Sequence, residues 1–336
     1  MGVKDKLLNK KHDMSEYKIM PTFPKVMKLD ICNSCNYRCM FCPQAKKDYT
    51  TGCIDKELAY KLIKDFYDGG GRELCLAMRG EPLLNSDMAN YVRYAKEIGY
   101  TYVFTNTNGF LLSEDKSQEL IEAGIDSVKL SINSHKELYK TIHGVDGYIK
   151  VLNNCIFFDK IRKESHRDIK LYVSFVAIKQ TLQDVALVEK DFGDYVDEIM
   201  VMNANSRGGS ISEVTSNMYA GDDEYTFEYP CSQLFNTINV TAEGYMIACC
   251  QDFDNLMVIE DINKKSVIDA WNGDVFCELR RKYMNGEIQN TLCVNCLSGS
   301  INRVVPLRAD VLTYPINETK RRDLIKRIGI INDMYR

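Results

Sequence analysis

Three cysteines of this 336-residue chain lie in one short run with the spacing CxxxCxxC. They are Cys35, Cys39 and Cys42, with Phe41 just before the last. Three thiolates on one loop can bind three irons of a cubane cluster and leave the fourth iron open to another ligand. Structural zinc prefers four closed ligands, usually in two CxxC-like pairs, so zinc fits this run poorly. The spacing therefore indicates a cluster with one open iron.

A second set of thiols occurs in the C-terminal half and ends in a CxxC pair: Cys231, Cys249, Cys293 and Cys296. Four thiolates can fully ligate one cubane cluster, but they can also hold zinc tetrahedrally. Taken alone, this set leaves both metals open. Residues 241–250 indicate a hairpin with Gly244 at its turn, and a helix follows Trp271.

Short β-type runs alternate with helical patterns, which is typical of βα units around a parallel sheet. The predicted strands are Val26–Ile31, Glu73–Met78, Tyr102–Asn106, Ser127–Ile132, Leu171–Ile178 and Glu198–Met202. The predicted helices are 55–67, 86–98, 113–123, 148–163 and 182–191, with a short turn at 136–139. We expect an α/β fold: a partial (β/α)6 TIM-like barrel whose site lies at the carboxyl ends of the strands. The CxxxCxxC run follows the first strand, as this requires.

With Phe41 as its aromatic position, the first cysteine run resembles the CxxxCxΦC loop of the radical S-adenosylmethionine (SAM) superfamily. The resemblance covers most of the chain. It implies that Cys35, Cys39 and Cys42 hold a [4Fe-4S] cluster whose open iron chelates SAM. One electron then cleaves SAM to a 5'-deoxyadenosyl radical.

Further motifs of the same superfamily follow in order along the predicted barrel. Gly80, Glu81 and Pro82 resemble its GGEP motif, with Arg79 in place of the first glycine, as a substrate contact or a tolerated variant. The segment 107–109 resembles TNG, and 130–133 resembles a strand end that contacts SAM. By resemblance, SAM is bound by these residues: Phe41, Gly80, Glu81, Pro82, Asn108, Ser131 and Asn133.

The C-terminal cysteines resemble the SPASM/Twitch extension of the superfamily, in which a β-hairpin and a helix carry auxiliary clusters. No cysteine follows Cys296, so the shorter Twitch form with one auxiliary [4Fe-4S] cluster is the better match. The predicted organisation is an N-terminal extension at 1–25, the radical SAM barrel at 26–215, the small auxiliary-cluster domain at 216–304 and a tail at 305–336.

A fully ligated auxiliary cluster has no open iron for substrate, so we expect it to accept an electron. The chain resembles Twitch aminocyclitol dehydrogenases, which implies oxidation of a hydroxylated small molecule such as an amino sugar, cyclitol or sugar nucleotide. The alternative is a peptide substrate that is epimerised or crosslinked, and a third interpretation is a non-catalytic metal-binding module. About 25 residues precede the first strand, which disfavours a fused peptide-recognition domain.

An epimerase would need a thiol as hydrogen donor, and Cys250, beside a predicted ligand, is the candidate catalytic residue; Cys75 is a second. Other polar residues expected near the mouth of the barrel are Tyr37, Arg38, Arg79, Lys179, Asn203, Asn205 and Arg207. The histidines show no pairing that suggests a metal site. The identity of the substrate is left open.

A formal net charge of −4 and a pI of about 5.7 do not suggest nucleic acid as a partner. A basic cluster near the C-terminus, at 320–327, is expected to be a solvated helix face. No apolar run suits a membrane span or a signal peptide, so a cytoplasmic protein with reduced thiols is expected. The expected partners are a small-molecule substrate and an electron donor such as flavodoxin or ferredoxin.

Overall fold

The computed structural model of this chain describes residues 16–46, 52–211, 218, 231–298, 302–308 and 310. Two predictions lie outside these residues, namely the domain boundary at 215 and the basic cluster at 320–327. Among the helices built from the described residues, none is both long and apolar enough to cross a bilayer.

Nine strands of the described residues form one sheet in the order β6-β5-β4-β3-β2-β1-β7-β8-β9. The strands are β1 Val26–Leu29, β2 Glu73–Cys75, β3 Tyr102–Thr107, β4 Ser127–Ser131, β5 Lys170–Ala177, β6 Glu198–Asn203, β7 Thr237–Val240, β8 Tyr245–Ile247 and β9 Val258–Asp261. The first seven pair in parallel, and the last two add antiparallel strands. The sheet is open, which confirms the partial TIM-like barrel with a small C-terminal part.

Eleven α-helices are described, and the first seven of them lie in the βα connections of the barrel. The helices are α1 Pro43–Lys46, α2 Lys56–Asp68, α3 Met88–Ile98, α4 Glu114–Ala123, α5 Lys136–His143, α6 Tyr148–Glu164, α7 Asp184–Phe192, α8 Gln233–Asn236, α9 Val267–Trp271, α10 Asp274–Met284 and α11 Leu292–Ser298. The predicted strands and long helices are confirmed within a few residues. The predicted turn at 136–139 is wrong, because Tyr139, Ile142 and His143 bury one face and extend it to a two-turn helix.

Strand β1 joins the two halves of the chain, because it pairs with β2 on one side and with β7 on the other. Strands β7 and β8 form the predicted hairpin, and Gly244 occupies its turn at φ +85°. Glycine adopts this left-handed conformation without the steric cost of a Cβ. The C-terminal hairpin is therefore a continuation of the barrel sheet.

The two faces of the sheet differ in chemistry, because successive side chains of a strand point to opposite sides. One face is apolar and fully buried in the main hydrophobic core: Met27, Leu74, Val103, Val128 and Leu171. The other face, called the inner face below, carries polar side chains: Lys28, Cys75, Asn106, Lys129 and Asn239. Burial of the apolar face stabilises the fold. The polar side chains of the inner face are the ones that could contact a ligand.

The side chain of Arg79, in the loop after β2, is buried to 4% exposure in a polar cluster. Its Nε donates to Asp30 Oδ2 at 2.8 Å, its Nη2 to Glu243 Oε2 at 2.7 Å and its Nη1 to Asn255 Oδ1 at 3.0 Å. Burial alone would lower the pKa of Arg79, but the two carboxylates raise it above its usual value. Arg79 therefore ties the barrel to the C-terminal hairpin, a structural role that its departure from the motif did not indicate.

We predict that Arg79→Met lowers the free energy of unfolding by about 3–5 kcal/mol, because it leaves the buried carboxylate of Asp30 and the half-buried carboxylate of Glu243 without their cation. The matched control is Arg281→Met, which removes an exposed ion pair with Glu278 and should cost less than about 1 kcal/mol. Urea unfolding of the anaerobically reconstituted protein measures both. Equal losses in the two variants would contradict the structural role of Arg79.

Candidate functional site

The three cysteines of the first run lie on the loop after β1, at the carboxyl edge of the sheet. The Cys42 N–H donates to the Cys39 carbonyl at 2.9 Å, which turns the loop into helix α1. Burial raises the pKa of the Cys35 thiol to about 12 and also raises those of Cys39 and Cys42. The charge of Cys42 acts on both other thiols, so the three lie close together. This donor set fits a cluster held by three thiolates.

His143, at the end of α5, contacts this loop, although sequence reasoning found no role for it. Its Nδ1 lies 3.3 Å from Cys39 Sγ, and its Nε2 accepts the Asn133 N–H at 3.2 Å. Because Nε2 accepts, the proton is on Nδ1 and points to the Cys39 sulfur. Burial lowers the pKa of His143 to about 3, so the ring is neutral. It also stacks on Tyr139 with 4.2 Å between ring centroids.

Gly80 brings the loop after β2 against the loop that follows β1. A Cβ at this position would overlap the backbone carbonyl oxygens of Cys32 and Ser34. The next residue, Glu81, donates its N–H to the Ser34 carbonyl at 2.7 Å. Glycine is thus required for the close approach of two backbones beside the cysteine loop.

The Glu81 carboxylate is buried and joins two site loops. It accepts the Thr107 hydroxyl at 2.6 Å, the Asn108 N–H at 2.8 Å and the Leu83 N–H at 3.1 Å. Burial raises its pKa to about 7, while these bonds oppose the shift. Asn108 Nδ2 in turn donates to Asn36 Oδ1 at 2.7 Å, on the cysteine loop. These bonds preorganise the three loops relative to one another.

The other residues predicted to bind SAM fall into two groups. Ser131 lies half-buried at the end of β4, on the same side as the inner face. Asn133 is buried, and its Oδ1 accepts the Val176 N–H at 2.8 Å. Pro82 begins a short 3₁₀ helix capped by Glu81, and Phe41 packs edge-on to His143. The Ser131 side chain is thus available to contact SAM, whereas the Asn133 side chain is engaged in a hydrogen bond with β5.

The second set of cysteines lines one cavity of about 270 Å³. All four predicted ligands contribute to it, together with Cys250: Cys231, Cys249, Cys293 and Cys296. Lys28 of β1 and Gln233 of α8 also line it. A cavity lined by thiols from three segments of the chain fits a fully ligated cluster. No three His, Cys, Asp or Glu side chains of the described ranges meet closely enough to hold a single metal ion.

Cys250 faces the inner side of the sheet at this cavity. Its Sγ accepts a hydrogen bond from Lys28 Nζ at 3.6 Å, and Lys28 also donates to Gln233 Oε1 at 3.1 Å. A hydrogen bond from Cys249 and the charge of Lys28, acting against burial, lower the pKa of Cys250 to about 5. The electrostatic effect of Cys75 on Lys28 places Cys75 near the same group.

Arg207 lies between the two cysteine sets. Its Nη1 donates to Gln251 Oε1 at 2.7 Å, beside Cys250. Its charge lowers the pKa of Cys42 in the first set and that of Cys296 in the second, against the larger effect of burial. The two thiol sites therefore face a common region that contains a guanidinium group.

The remaining residues expected at the mouth of the barrel take different positions. Tyr37 is buried and packs edge-on to Phe110, and Arg38 donates to the Cys35 carbonyl at 2.7 Å. Lys179 and Asn203 are exposed, while Asn205 Oδ1 accepts the Arg207 N–H at 3.0 Å. Of this group, Arg207 is the one that reaches the region between the two thiol sites.

Two family models match the chain. Residues 29–189 match the radical SAM superfamily, and residues 231–297 match an iron–sulfur cluster-binding domain named SPASM. The matched ranges contain both cysteine sets. They imply a SAM-binding [4Fe-4S] cluster and an auxiliary cluster, and they favour iron and sulfur over zinc at both sites.

The matched relatives are probable GTP 3',8-cyclases. That of Saccharolobus islandicus (strain M.14.25 / Kamchatka #1) is 32% identical over 130 residues, which cover 38% of this chain and 41% of the relative. That of Sulfurisphaera tokodaii is 31% identical over 160 residues, or 47% of this chain and 49% of the relative. The chain thus spans less than half the length of these curated relatives.

Three solved structures share the fold. BtrN in complex with AdoMet and 2-DOIA aligns at TM-score 0.57 and 20% identity, over 85% of this chain and 96% of BtrN. Streptococcus suis SuiB bound to precursor peptide SuiA aligns at 0.62 and 16%, over 77% and 67%. Native anSMEcpe with bound AdoMet aligns at 0.61 and 13%, over 92% and 99%.

We predict that Gly80→Ala abolishes SAM binding, because its Cβ forces the loop after β2 away from Cys32 and Ser34. SAM binding to the reconstituted protein is measured by equilibrium dialysis. Gly193→Ala is the matched control, since the nearest atom to its new Cβ, Cγ of Glu189, is 3.9 Å away. Wild-type SAM affinity in Gly80→Ala would show that the close approach is not needed.

We predict that His143→Phe shifts the midpoint potential of the first cluster to a more negative value. The variant keeps a ring against Tyr139 but removes the N–H that points to Cys39, and hydrogen bonds to cluster sulfurs tune the potential. Redox titration followed by electron paramagnetic resonance measures the shift. His166→Phe, at an exposed position, is the control. An unchanged potential in His143→Phe would contradict a bond to a cluster ligand.

Proposed function

Because the chain belongs to the radical SAM superfamily and carries an iron–sulfur cluster-binding domain, we propose that it is an oxidoreductase acting on a hydroxylated small molecule. The observation that carries this proposal is the thiol-lined cavity of about 270 Å³ beside the inner face. Four thiolates there leave no open iron for a substrate, so the natural role of the second cluster is to accept an electron. We propose the same ligand sets as above: Cys35, Cys39 and Cys42 for the first cluster, and Cys231, Cys249, Cys293 and Cys296 for the second.

In the proposed reaction the substrate first loses a hydrogen atom from its hydroxyl-bearing carbon. When bound, SAM and its cluster supply this abstraction, which protein side chains cannot perform. The substrate radical then loses its hydroxyl proton to water or a basic group. It would also give up one electron to the acceptor that the thiol-lined cavity is proposed to hold. A ketone remains, and the net change is a two-electron oxidation.

This chain's own residues position the reactants. Glu81 and Asn108 fix the SAM-side loops, and the Gly80 backbone allows their close approach. Arg207 acts on thiols of both sets and Lys28 lines the second cavity, so we expect the substrate space to lie within reach of both sites. A short separation of donor and acceptor is what an internal electron transfer needs.

The comparisons support a small molecule as the first choice. The alignment covers nearly all of BtrN, whose structure contains AdoMet and 2-DOIA. The name of the probable GTP 3',8-cyclases contains GTP, which is also a small molecule. The likeness to SuiB bound to its precursor peptide supports a peptide as the second candidate. The Cys250 thiol, on the cavity wall, is the hydrogen donor that peptide epimerisation would need.

We predict that the anaerobically reconstituted, reduced protein releases 5'-deoxyadenosine from SAM when given the low-mass fraction of its source cell extract. We further expect Cys249→Ala to lower formation of the oxidised product by at least about ten-fold, because it removes a predicted ligand of the electron acceptor. Liquid chromatography with mass spectrometry measures both products.

Cys250→Ala separates the two candidates. Oxidation should persist in this variant, whereas epimerisation should collapse for lack of a hydrogen donor. Stimulation by the peptide fraction alone would make the protein a peptide-modifying enzyme. SAM consumption that leaves every substrate carbon at its starting oxidation level would refute the oxidoreductase.

A further inference from the structure

Two lysines lie on the inner face of the sheet, near the region proposed for the substrate. Lys28 of β1 pairs in register with Cys75 of β2, and Lys129 of β4 pairs with Asn106 of β3. Cys75 pairs with Phe104, two residues before Asn106, so all these side chains point to the same side. The charges of Lys28 and Cys75 act on Lys129, which places the two ammonium groups around one space.

The two ammonium groups differ in what balances their charge. Lys28 donates hydrogen bonds to the Cys250 thiol of the second cavity and to Gln233 Oε1. Lys129 is half-buried and makes no ion pair with any carboxylate of the described ranges. Burial lowers its pKa, Cys75 opposes this shift, and the charge of Lys28 adds to it. A partly buried cation beside a like charge is costly unless an anion joins it. The charge of Lys129 would therefore be stabilised by one negative group beside it.

Two amides on the same face have unused hydrogen-bonding atoms. Asn239 of β7 is fully buried, and neither its Nδ2 nor its Oδ1 has a partner among the described residues. Its register with Lys28 places it on the inner face. Asn106 Oδ1 is likewise buried without a partner. Buried polar atoms are nearly always bonded, so these positions are suited to a polar ligand.

The position of Lys129 along its strand fixes the orientation of such a ligand. Lys129 lies two residues before Ser131 on the same face of β4, and Ser131 is at the SAM end of the strand. The anionic group would bind deeper in the barrel, and the rest of the molecule would extend towards the SAM loops. This places a hydroxyl-bearing carbon next to the reacting end.

From this geometry, and resting on the oxidoreductase function proposed above, we propose that the substrate carries a phosphate or carboxylate group that binds Lys129 near Lys28, and that Asn106 Oδ1 accepts a hydrogen bond from a hydroxyl group of the same molecule. Ammonium groups bind such oxygens through charge-assisted hydrogen bonds. A cationic amino sugar or amino cyclitol would instead add a third positive charge. The structure thus assigns the substrate to sugar nucleotides, sugar phosphates or acidic sugars.

The first test separates the low-mass extract by ion exchange into cationic, neutral and anionic pools at neutral pH. Each pool is added to the reduced holoenzyme with SAM, and release of 5'-deoxyadenosine is measured. We expect the anionic pool to stimulate release. Stimulation by the cationic or neutral pool overturns this inference but leaves the oxidoreductase standing, whereas no stimulation by any pool overturns both.

The second test measures binding without turnover. Pyrophosphate is the probe for a phosphate group on the substrate, and malonate is the probe for a carboxylate group. Anaerobic titration calorimetry compares wild type with Lys129→Gln, Lys129→Arg and the exposed control Lys140→Gln. We expect affinity for at least one probe to fall about ten- to a hundred-fold in Lys129→Gln and to be largely kept in the other two.

The probe whose affinity falls more in Lys129→Gln shows whether the bound group is a phosphate or a carboxylate. Equal affinity of wild type and Lys129→Gln for both probes, or no binding of either to wild type, overturns the inference. Lys129→Arg guards against a folding defect, because it keeps the charge at the same position. KM for the stimulating pool should rise in Lys129→Gln more than kcat falls, as expected for loss of substrate binding.

Discussion

The buried ion pairs of Arg79 are the constraint on which the site depends. Asp30 lies directly before the cysteine loop, and Glu243 lies in the turn of the C-terminal hairpin. Glu243 also accepts Asn33 Nδ2 at 2.5 Å, and the Asn33 carbonyl accepts Gln44 Nε2 at 2.7 Å, at the far end of the loop. One guanidinium thus couples the first thiol site to the hairpin that leads to Cys249 of the second site. Because removing one partner of a buried pair is costly, the two sites keep a fixed relation.

The sequence predicted whatever depends on local pattern. Strand β3 and helix α6 lie where alternation and helical periodicity indicated them, and the spacing of Cys35, Cys39 and Cys42 identified the cluster loop. What it missed depends on contacts between distant segments. His143 follows Cys39 by 104 residues and Glu243 follows Arg79 by 164, and no short motif records either pair. The GGEP comparison even misdirected the interpretation of Arg79, because a departure from a motif does not show what the new side chain contacts.

Glu81 shows why a family motif does not by itself assign a role. Its carboxylate accepts three hydrogen bonds from Thr107, Asn108 and Leu83, and about four acceptor positions are available on a carboxylate. Most of its capacity therefore holds protein loops in place. The same bonds pin Asn108, whose amide reaches the cysteine loop through Asn36. These bonds preorganise the backbone of the loops that we propose to bind the cofactor.

The open sheet explains why charge can remain on the inner face. In a closed eight-stranded barrel the interior is filled with layers of branched apolar side chains. Here the strands do not close, and positions that would be packed carry Lys28, Lys129 and Asn106 instead. Thiolates in the second cavity can balance Lys28, but they do not act on Lys129. No carboxylate of the described residues pairs with Lys129, so an anionic substrate, as proposed above, would offset the cost of burying its charge.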